Sequence, residues 1–511
     1  MTMIGNNKRI AKNTLLLYVR MFVMLVVSLF TSRIVLQVLG ETDYGIYNII
    51  GGVVVLFSFL NSALLSATQR FLNYNIGKKD EDATHNVFCM SMNAYIILAG
   101  IFFLLGETIG LWFVNTQLNI PEERMYATHW VYQFSLITFI INLIRVPYNA
   151  TIIAYERMGF FAYLSLAEVI LKLLVVYLLY VTTFDKLIFY SLLYTIVPLL
   201  ITCFYKKYCN RNFIISHYKR FWNKEMFKQL FSFSGWSLFG SIANLSANQG
   251  LNILINIFYG VTVNTAMGVA NQISGHVFQF ISNFQMAFNP QIVKTYAANE
   301  TDRLYSLMFM ASKISYFLLL VISLPVMLNM NAILEIWLVN VPKYTAIFSQ
   351  LILCFFLIEA LSAPLWMFVQ ATGKIRNYQI LMGALIFLNL PLAYLVLKIG
   401  MPVYYVWVVR ILVNVFVFTI RCLYIKRKYA FPVGVYFNKV MIPVIFVTLI
   451  VVPISIFIKN IIEGYWSQLL FSCLVALTIS LVSIYILGLN KNEKNYVIEM
   501  IWNKMKKNHG N

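Results

Sequence analysis

Long apolar runs alternate along the chain with short polar breaks. A membrane-spanning helix needs about 20 mostly apolar residues. Fourteen stretches qualify: 14–39, 45–68, 86–114, 129–153, 160–182, 187–205, 229–258, 263–289, 304–328, 345–370, 378–398, 403–425, 440–459 and 466–488. The loops are short, so no soluble domain interrupts the pattern. It predicts an all-α polytopic membrane protein of about 14 transmembrane helices. The seventh and eighth runs differ from the rest in being rich in Asn, Gln and Ser. The basic start "MTMIGNNKRIAKN" leads into an apolar run reaching Gly40. A cleaved signal has an apolar core of about 7–15 residues and a small-residue cut site. Neither is present, so the run reads as a retained first span.

Composition agrees. Of 511 residues, 60% are hydrophobic and 11% charged, against about 25% charged in soluble domains. The net charge of +20 is explained by where the cations fall. With the N-terminus inside, 28 of the 39 Lys and Arg lie in inner segments, five (Arg124, Lys186, Lys343, Lys398 and Lys459) lie outside, and six lie within spans. The positive-inside rule then places both termini in the cytoplasm. Cations spread over every inner loop make no nucleic-acid patch. The longest inner loop, 204–229, reads as a basic connector. The six cysteines make no C-x-x-C pair and the five histidines are scattered, so no metal site is expected. No nucleotide loop or Ser/His/Asp set appears. The expectation is a non-enzyme with no cofactor beyond a coupling ion, Na+ or H+.

A shift of 220 residues lays "VLGETDYG" (38–45) on "FYGVTVNT" (258–265), matching Gly40 with Gly260. It also lays "TQRFLNYNIGKKDED" (68–82) on "FNPQIVKTYAANETD" (288–302). Spans one to six and seven to twelve then form two parallel six-helix lobes, a repeat seen in some transporters, plus two extra C-terminal helices. The expected division is an N-lobe at 1–206, a basic cytoplasmic linker at 207–228, a C-lobe at 229–428, two further spans at 429–490 and a cytoplasmic tail at 491–511.

Charge inside a membrane is costly and points to function. The six intramembrane cations are Arg20, Arg33, Arg145, Lys172, Lys313 and Arg410, against the acids Glu107, Glu168 and Glu359. Glu168 and Lys172, at i and i+4, are spaced to pair. Lys313 is placed to snorkel. Arg20, Arg33, Arg145 and Arg410 have no acid three or four residues away. Arginine is always charged and grips phosphate in a fork, so these four are candidates for an anionic group. Arg33, near the outer end of span one, could instead pair with Glu41 or Asp43.

In span seven Asn244, Asn248, Asn252 and Asn256 recur every fourth residue, drifting about 40° per step along one face. Span eight carries Asn271, Gln272, Gln279 and Asn283, and span two carries Asn61 and Gln69. Amides donate and accept, which suits sugar hydroxyls in a water-filled cleft; the alternative is interhelical hydrogen bonding.

Three segments carry a family resemblance: the Arg of span one before "VLGETDYGIYN", "FSFLNSALLSATQRFLNYNIGKKD" (57–80) and "RVPYNATIIAYERMGFFAY" (145–163). The chain resembles polysaccharide-biosynthesis (O-antigen and capsule) flippases of the multidrug/oligosaccharidyl-lipid/polysaccharide exporter superfamily. The resemblance implies a V-shaped, alternating-access monomer in a bacterial inner membrane. It would flip a polyprenyl-diphosphate-linked oligosaccharide, surrounded by membrane lipids and working beside a glycan polymerase and glycosyltransferases. The arginines would hold the diphosphate and the amides the sugars. The competing expectation is a cation-coupled multidrug exporter of the same superfamily, with Glu107, Glu168 or Glu359 binding the ion. Two arginines and no acid in span one disfavour cationic drugs. A third reading is a non-transporting scaffold for glycan assembly.

Overall fold

The computed structural model describes residues 16–24, 26–27, 31, 34–35, 37–40, 43–47, 50, 58–116, 118, 120–338, 341–490 and 493–494, with the backbone alone at 58–63, 261–262 and 264–265. Every regular element among them is helical. Hydrocarbon offers no partner for a bare N–H or C=O, so a chain this apolar closes its backbone bonds inside helices. Among the described residues, ten helices are long and apolar enough to cross a membrane.

The chain divides into two compact units, one covering Lys12–Leu238 and the other running from Phe239 onward. In the first, α1 (Ser58–Lys78), α2 (Glu81–Thr116), α3 (Glu122–Ala154), α4 (Met158–Leu178) and α5 (Lys186–Asn212) follow partly described helical segments before residue 51. Asp80 caps α2 by accepting from the Ala83 N–H, with Glu81 and Asp82 in the first turn, where the helix dipole favours acids. Buried Tyr132, Val131, Leu136 and Val114 pack one part of the core, and Tyr95, Phe102 and Phe139 another. The segment expected as a free basic linker lies against α2. The α5 helix runs on to Asn212. Asn93 Nδ2 then donates to the Phe221 carbonyl at 2.5 Å, and the Tyr218 hydroxyl to Asn93 Oδ1 at 2.6 Å.

The next helical run, Lys224–Ala297, is 74 residues long and breaks at Gly260. Unbroken, it would extend about 110 Å, far beyond a hydrocarbon core of about 30 Å. It therefore forms two helices, α6 before Gly260 and α7 after it. Their amides lower the mean hydropathy, which keeps this run outside the ten. Gly260 has φ 76° and ψ −173°, a region essentially closed to other residues. Then come α8 (Thr301–Leu328), the short α9 (Met330–Trp337), α10 (Thr345–Thr372), α11 (Arg376–Lys398), α12 (Tyr405–Tyr429), α13 (Val433–Ile461) and α14 (Tyr465–Gly488). Trp407, Phe348, Ile352 and Met267 fill the core between α7, α10 and α12. The last two helices show apolar side chains outward, among them Leu449, Phe457 and Phe471, as lipid-facing helices do.

The 220-residue repeat is visible in the backbone. Gly40 has φ 78° and Gly260 φ 76°; Lys79 has φ 59° and Asn299 φ 56°. Each pair marks the same helix junction, and adding 220 to α2, α3, α4 and α5 lands on α8 with α9, α10, α11 and α12. The two units share one order of elements.

In the first unit Arg124 forks onto Asp43 (Nε–Oδ1 2.9 Å, Nη2–Oδ2 2.6 Å) and reaches Asp185 (Nη1–Oδ2 2.6 Å). Asp185 also caps α5 through the Leu187 and Ile188 N–H groups. Asp43 is thus held by Arg124; Arg33 and Glu41, which one reading placed at this turn, lie outside the described residues. Lys313, expected to snorkel, is 3% exposed and pairs with Glu493 at 2.6 Å.

Two predictions follow from this architecture. Gly260→Ala forces a side chain into glycine-only backbone and should lower stability by about 1–3 kcal/mol, read as a fall in the thermal midpoint of the purified protein in detergent. At Asp185, burial alone would raise the carboxyl; the Arg124 hydrogen bond and the Ile188 and Leu187 N–H groups outweigh it and hold the group below the ordinary 3.8. A depressed carboxyl stabilises the fold above its unfolded value and loses that contribution as pH falls through the folded one. Asp185→Asn should therefore lower the midpoint at neutral pH by the equivalent of about 1 kcal/mol and flatten the acid-side loss seen below pH 3.8 in the parent.

Candidate functional site

The first unit gathers charge around one carboxylate. Glu168 on α4 accepts from Arg145 Nη1 of α3 at its Oε2 (2.9 Å) and from Lys172 Nζ, one turn along, at its Oε1 (2.9 Å). Arg20 joins them electrostatically, its guanidinium 4.3 Å from the centre of the Phe161 ring. Arg145 lies 5.7 Å from the Tyr205 ring and Lys172 4.9 Å from that of Tyr194. Aromatic faces attract cations with little need for water, and so help to keep three positive groups around one acid. The cluster carries a net charge of about +2 with every group ionised. Arg145 and Glu168 are 23 residues apart, which is why no i,i+4 test finds them.

The second unit holds a cavity of about 60 Å³ lined by four helices. On α12, Arg410, Asn414, Val417 and Arg421 line it at i, i+4, i+7 and i+11, one stripe of a helix. The α10 helix adds Phe355 and Glu359, α6 adds Asn244 and α11 adds Asn389. Asn389 sits where α11 breaks between Phe387 and Asn389. Pro391 has no N–H to give to residue 387, so the helix is free to break there. Helices α6 and α11 come close because Gly250 has no Cβ; one built there would lie 2.4 Å from Leu390.

Arg410 and Arg421 are each 6% exposed. Arg410 donates through Nη2 to Asn248 Oδ1 and lies 4.7 Å and 4.6 Å from the Phe355 and Trp407 rings. Arg421 Nε and Nη1 are buried without a hydrogen-bond partner. Glu359 forms neither a hydrogen bond nor an ion pair with a described residue, yet lies close enough to both arginines to offset part of their charge.

The remaining sequence candidates are dispersed. Glu107 stands in a single π turn, Gly106–Gly110, and accepts from Gln133 Nε2 at 3.2 Å. Gln69 is buried on α1, and Asn61 is described as a backbone position of that helix. Asn244 and Asn248 reach the cavity or its arginine, whereas Asn252 bonds Gln249 and Asn256 is exposed. The drift of 40° per step explains this, since the far end of the stripe has rotated off the cavity face. Asn271, Gln272 and Gln279 are exposed, and Asn283 donates to the Gln279 carbonyl. Arg421, counted from sequence as an inner-loop cation, is part of the cavity. Its spacing of eleven from Arg410 was the signal that places it there.

Solved transporters share this fold. An outward-facing multidrug-resistance MATE transporter of the MOP superfamily matches with a TM-score of 0.71 at 14% identity, covering 83% of this chain and 96% of that one. A MOP-superfamily transporter from Pyrococcus furiosus, described as having a binding pocket of reverse polarity that suggests a different function, matches at 0.69, 14%, 83% and 96%. A MATE transporter in complex with MaL6 matches at 0.69, 13%, 83% and 96%. No protein-family model and no curated protein sequence matches the chain. The chain therefore shares the all-α polytopic fold of these MATE and MOP-superfamily structures.

This corrects the expectation of an oligosaccharide flippase. The structures that share the fold include a multidrug-resistance MATE transporter, and this likeness favours the competing expectation of an exporter. A physical reason for the misreading is visible too. The argument for phosphate binding rested on arginines with no acid nearby in sequence, and Arg145 is ion-paired with Glu168.

Removing one partner of a buried ion pair costs about 3–5 kcal/mol. The side chains around Glu168 are 16–24% exposed, so Glu168→Gln should cost near the lower end, about 3 kcal/mol, seen as a lowered thermal midpoint. Adding Arg145→Gln should recover part of that loss.

Proposed function

We propose that the chain is a cation-coupled exporter of the multidrug type. In this reading the fourteen spans form two parallel six-helix lobes and two further helices in a cytoplasmic membrane, both termini face the cytoplasm, and the lobes alternate access. The likeness to an outward-facing multidrug-resistance transporter over 83% of the chain supports the transport cycle. The observation that carries the coupling is Glu359: a carboxylate lining a cavity, with no hydrogen bond or ion pair to a described residue. In this reading that carboxylate carries the coupling proton as its surroundings alternate between water and protein. Glu168, tied to two cations, is the less available acid, and Glu107 keeps one carboxylate oxygen for Gln133.

The charge of both sites bears on the cargo. Three cations face Glu168, and two arginines face Glu359. Neutral or anionic amphiphiles fit such surroundings better than organic cations, which like charge repels. A pocket of unusual polarity has a counterpart in the Pyrococcus furiosus transporter.

The test is uptake into inside-out proteoliposomes loaded with a proton or Na+ gradient. Neutral, anionic and cationic fluorescent amphiphiles are compared. The expected result is gradient-dependent accumulation of the first two and a loss of at least about tenfold in Glu359→Gln, as general for a group acting in the coupled step. Uphill transport that is unchanged in Glu359→Gln would overturn its role. Absence of gradient-driven transport for every amphiphile would overturn the exporter reading.

A further inference from the structure

We infer that the cavity of the C-terminal unit is a binding site for a small monovalent inorganic anion of halide size, held between Arg410 and Arg421. This does not depend on what the protein exports.

The cavity is lined by two guanidiniums and one carboxylate. Arginine stays protonated even when buried, so one positive charge is left without compensation. Both arginines are 6% exposed, and in such surroundings an unpaired charge is strongly disfavoured. Arg410 has Asn248 and two aromatic faces around it. Arg421 lines the cavity too and has the Tyr378 side chain beside it, but its Nε and Nη1 are buried and make no hydrogen bond. Two unused N–H donors on a buried cation that lines a cavity of net positive charge point to a missing negative charge nearby.

Size and chemistry narrow the occupant. A cavity of about 60 Å³ has room for one small ion and a few waters. Two guanidiniums exclude a metal cation. Water alone would meet the hydrogen bonds and leave the charge. The amides suit an anion as well. Asn389 and Asn414 each spend one N–H on a main-chain carbonyl, of Ile386 and Phe355, and an amide has a second N–H to offer. Glu359 shares the cavity, so its charge opposes that of the bound ion. Neutralising Glu359 should therefore tighten the site.

The experiment uses the purified full chain in detergent, at fixed ionic strength, with gluconate replaced stepwise by chloride or bromide. The expected result is a saturable rise in the thermal midpoint with either halide. That rise should vanish in Arg421→Gln, and half-saturation should fall at least about tenfold in Glu359→Gln. Crystals grown in bromide should show anomalous scattering between Arg410 and Arg421, which tests the site on the parent protein even if Arg421→Gln does not fold. Equal midpoints in gluconate and halide, a halide shift that survives Arg421→Gln, or no bromide peak in the cavity would each overturn the inference.

Discussion

Glu168 accepts one hydrogen bond from Arg145 and one from Lys172, and that single carboxylate lets three cations stay together inside the first unit. Burying charge is the costliest thing this chain does, and each buried charge is met in a different way. Glu168 uses ion pairs. Arg20 lies against Phe161, and Arg410 lies against Phe355 and Trp407 while donating to Asn248. Lys313 takes Glu493. Arg421 alone among these has two buried donors left over. Helix positions around these groups follow from the need to meet them, since a half-satisfied polar cluster is worse than none.

The two units share a backbone plan and differ in chemistry. Positions 220 apart share a positive φ at Gly40 and Gly260 and at Lys79 and Asn299. The functional residues do not follow the repeat. Arg410 corresponds to Tyr190, Asn414 to Tyr194, Glu359 to Phe139 and Glu168 to Leu388. A duplicated scaffold therefore carries an ion cluster on α3 and α4 in one unit and a lined cavity on α10 to α12 in the other. The helix order is set by apolar length and turn backbone. The sites depend on a handful of positions that differ between the two units.

The amide-rich helices α6 and α7 illustrate how position decides role. Asn244 and Asn248 serve the cavity or its arginine, while Asn252 satisfies a neighbour on its own helix. All three are the same residue at the same spacing. Only the accumulated rotation of the helix separates them, and residues that reach α12 acquire a function the others lack. Glycine acts in a similar way: Gly250 lets α11 approach closely, whereas Gly260 turns the chain with nothing near it.

Much of the fold was legible in the amino-acid sequence, because local rules govern it. Apolar runs of spanning length, the acidic run at Asp80, the repeat through Gly40 and Gly260, and the Glu168–Lys172 spacing are all short-range patterns. Ten of the apolar runs reappear as spanning helices among the described residues, and the other patterns as a cap, a pair of positive-φ positions and an ion pair. What the tertiary structure alone decided is which distant groups meet. Arg145 finds Glu168 across 23 residues, Arg124 takes Asp43, and Lys313 reaches Glu493 across 180. The connector after α5 docks on α2, and Arg421 turns inward to join Arg410. Sequence spacing sets which residues share a helix face, but helix packing sets what that face touches. The partner of a buried charge is therefore written in the packing.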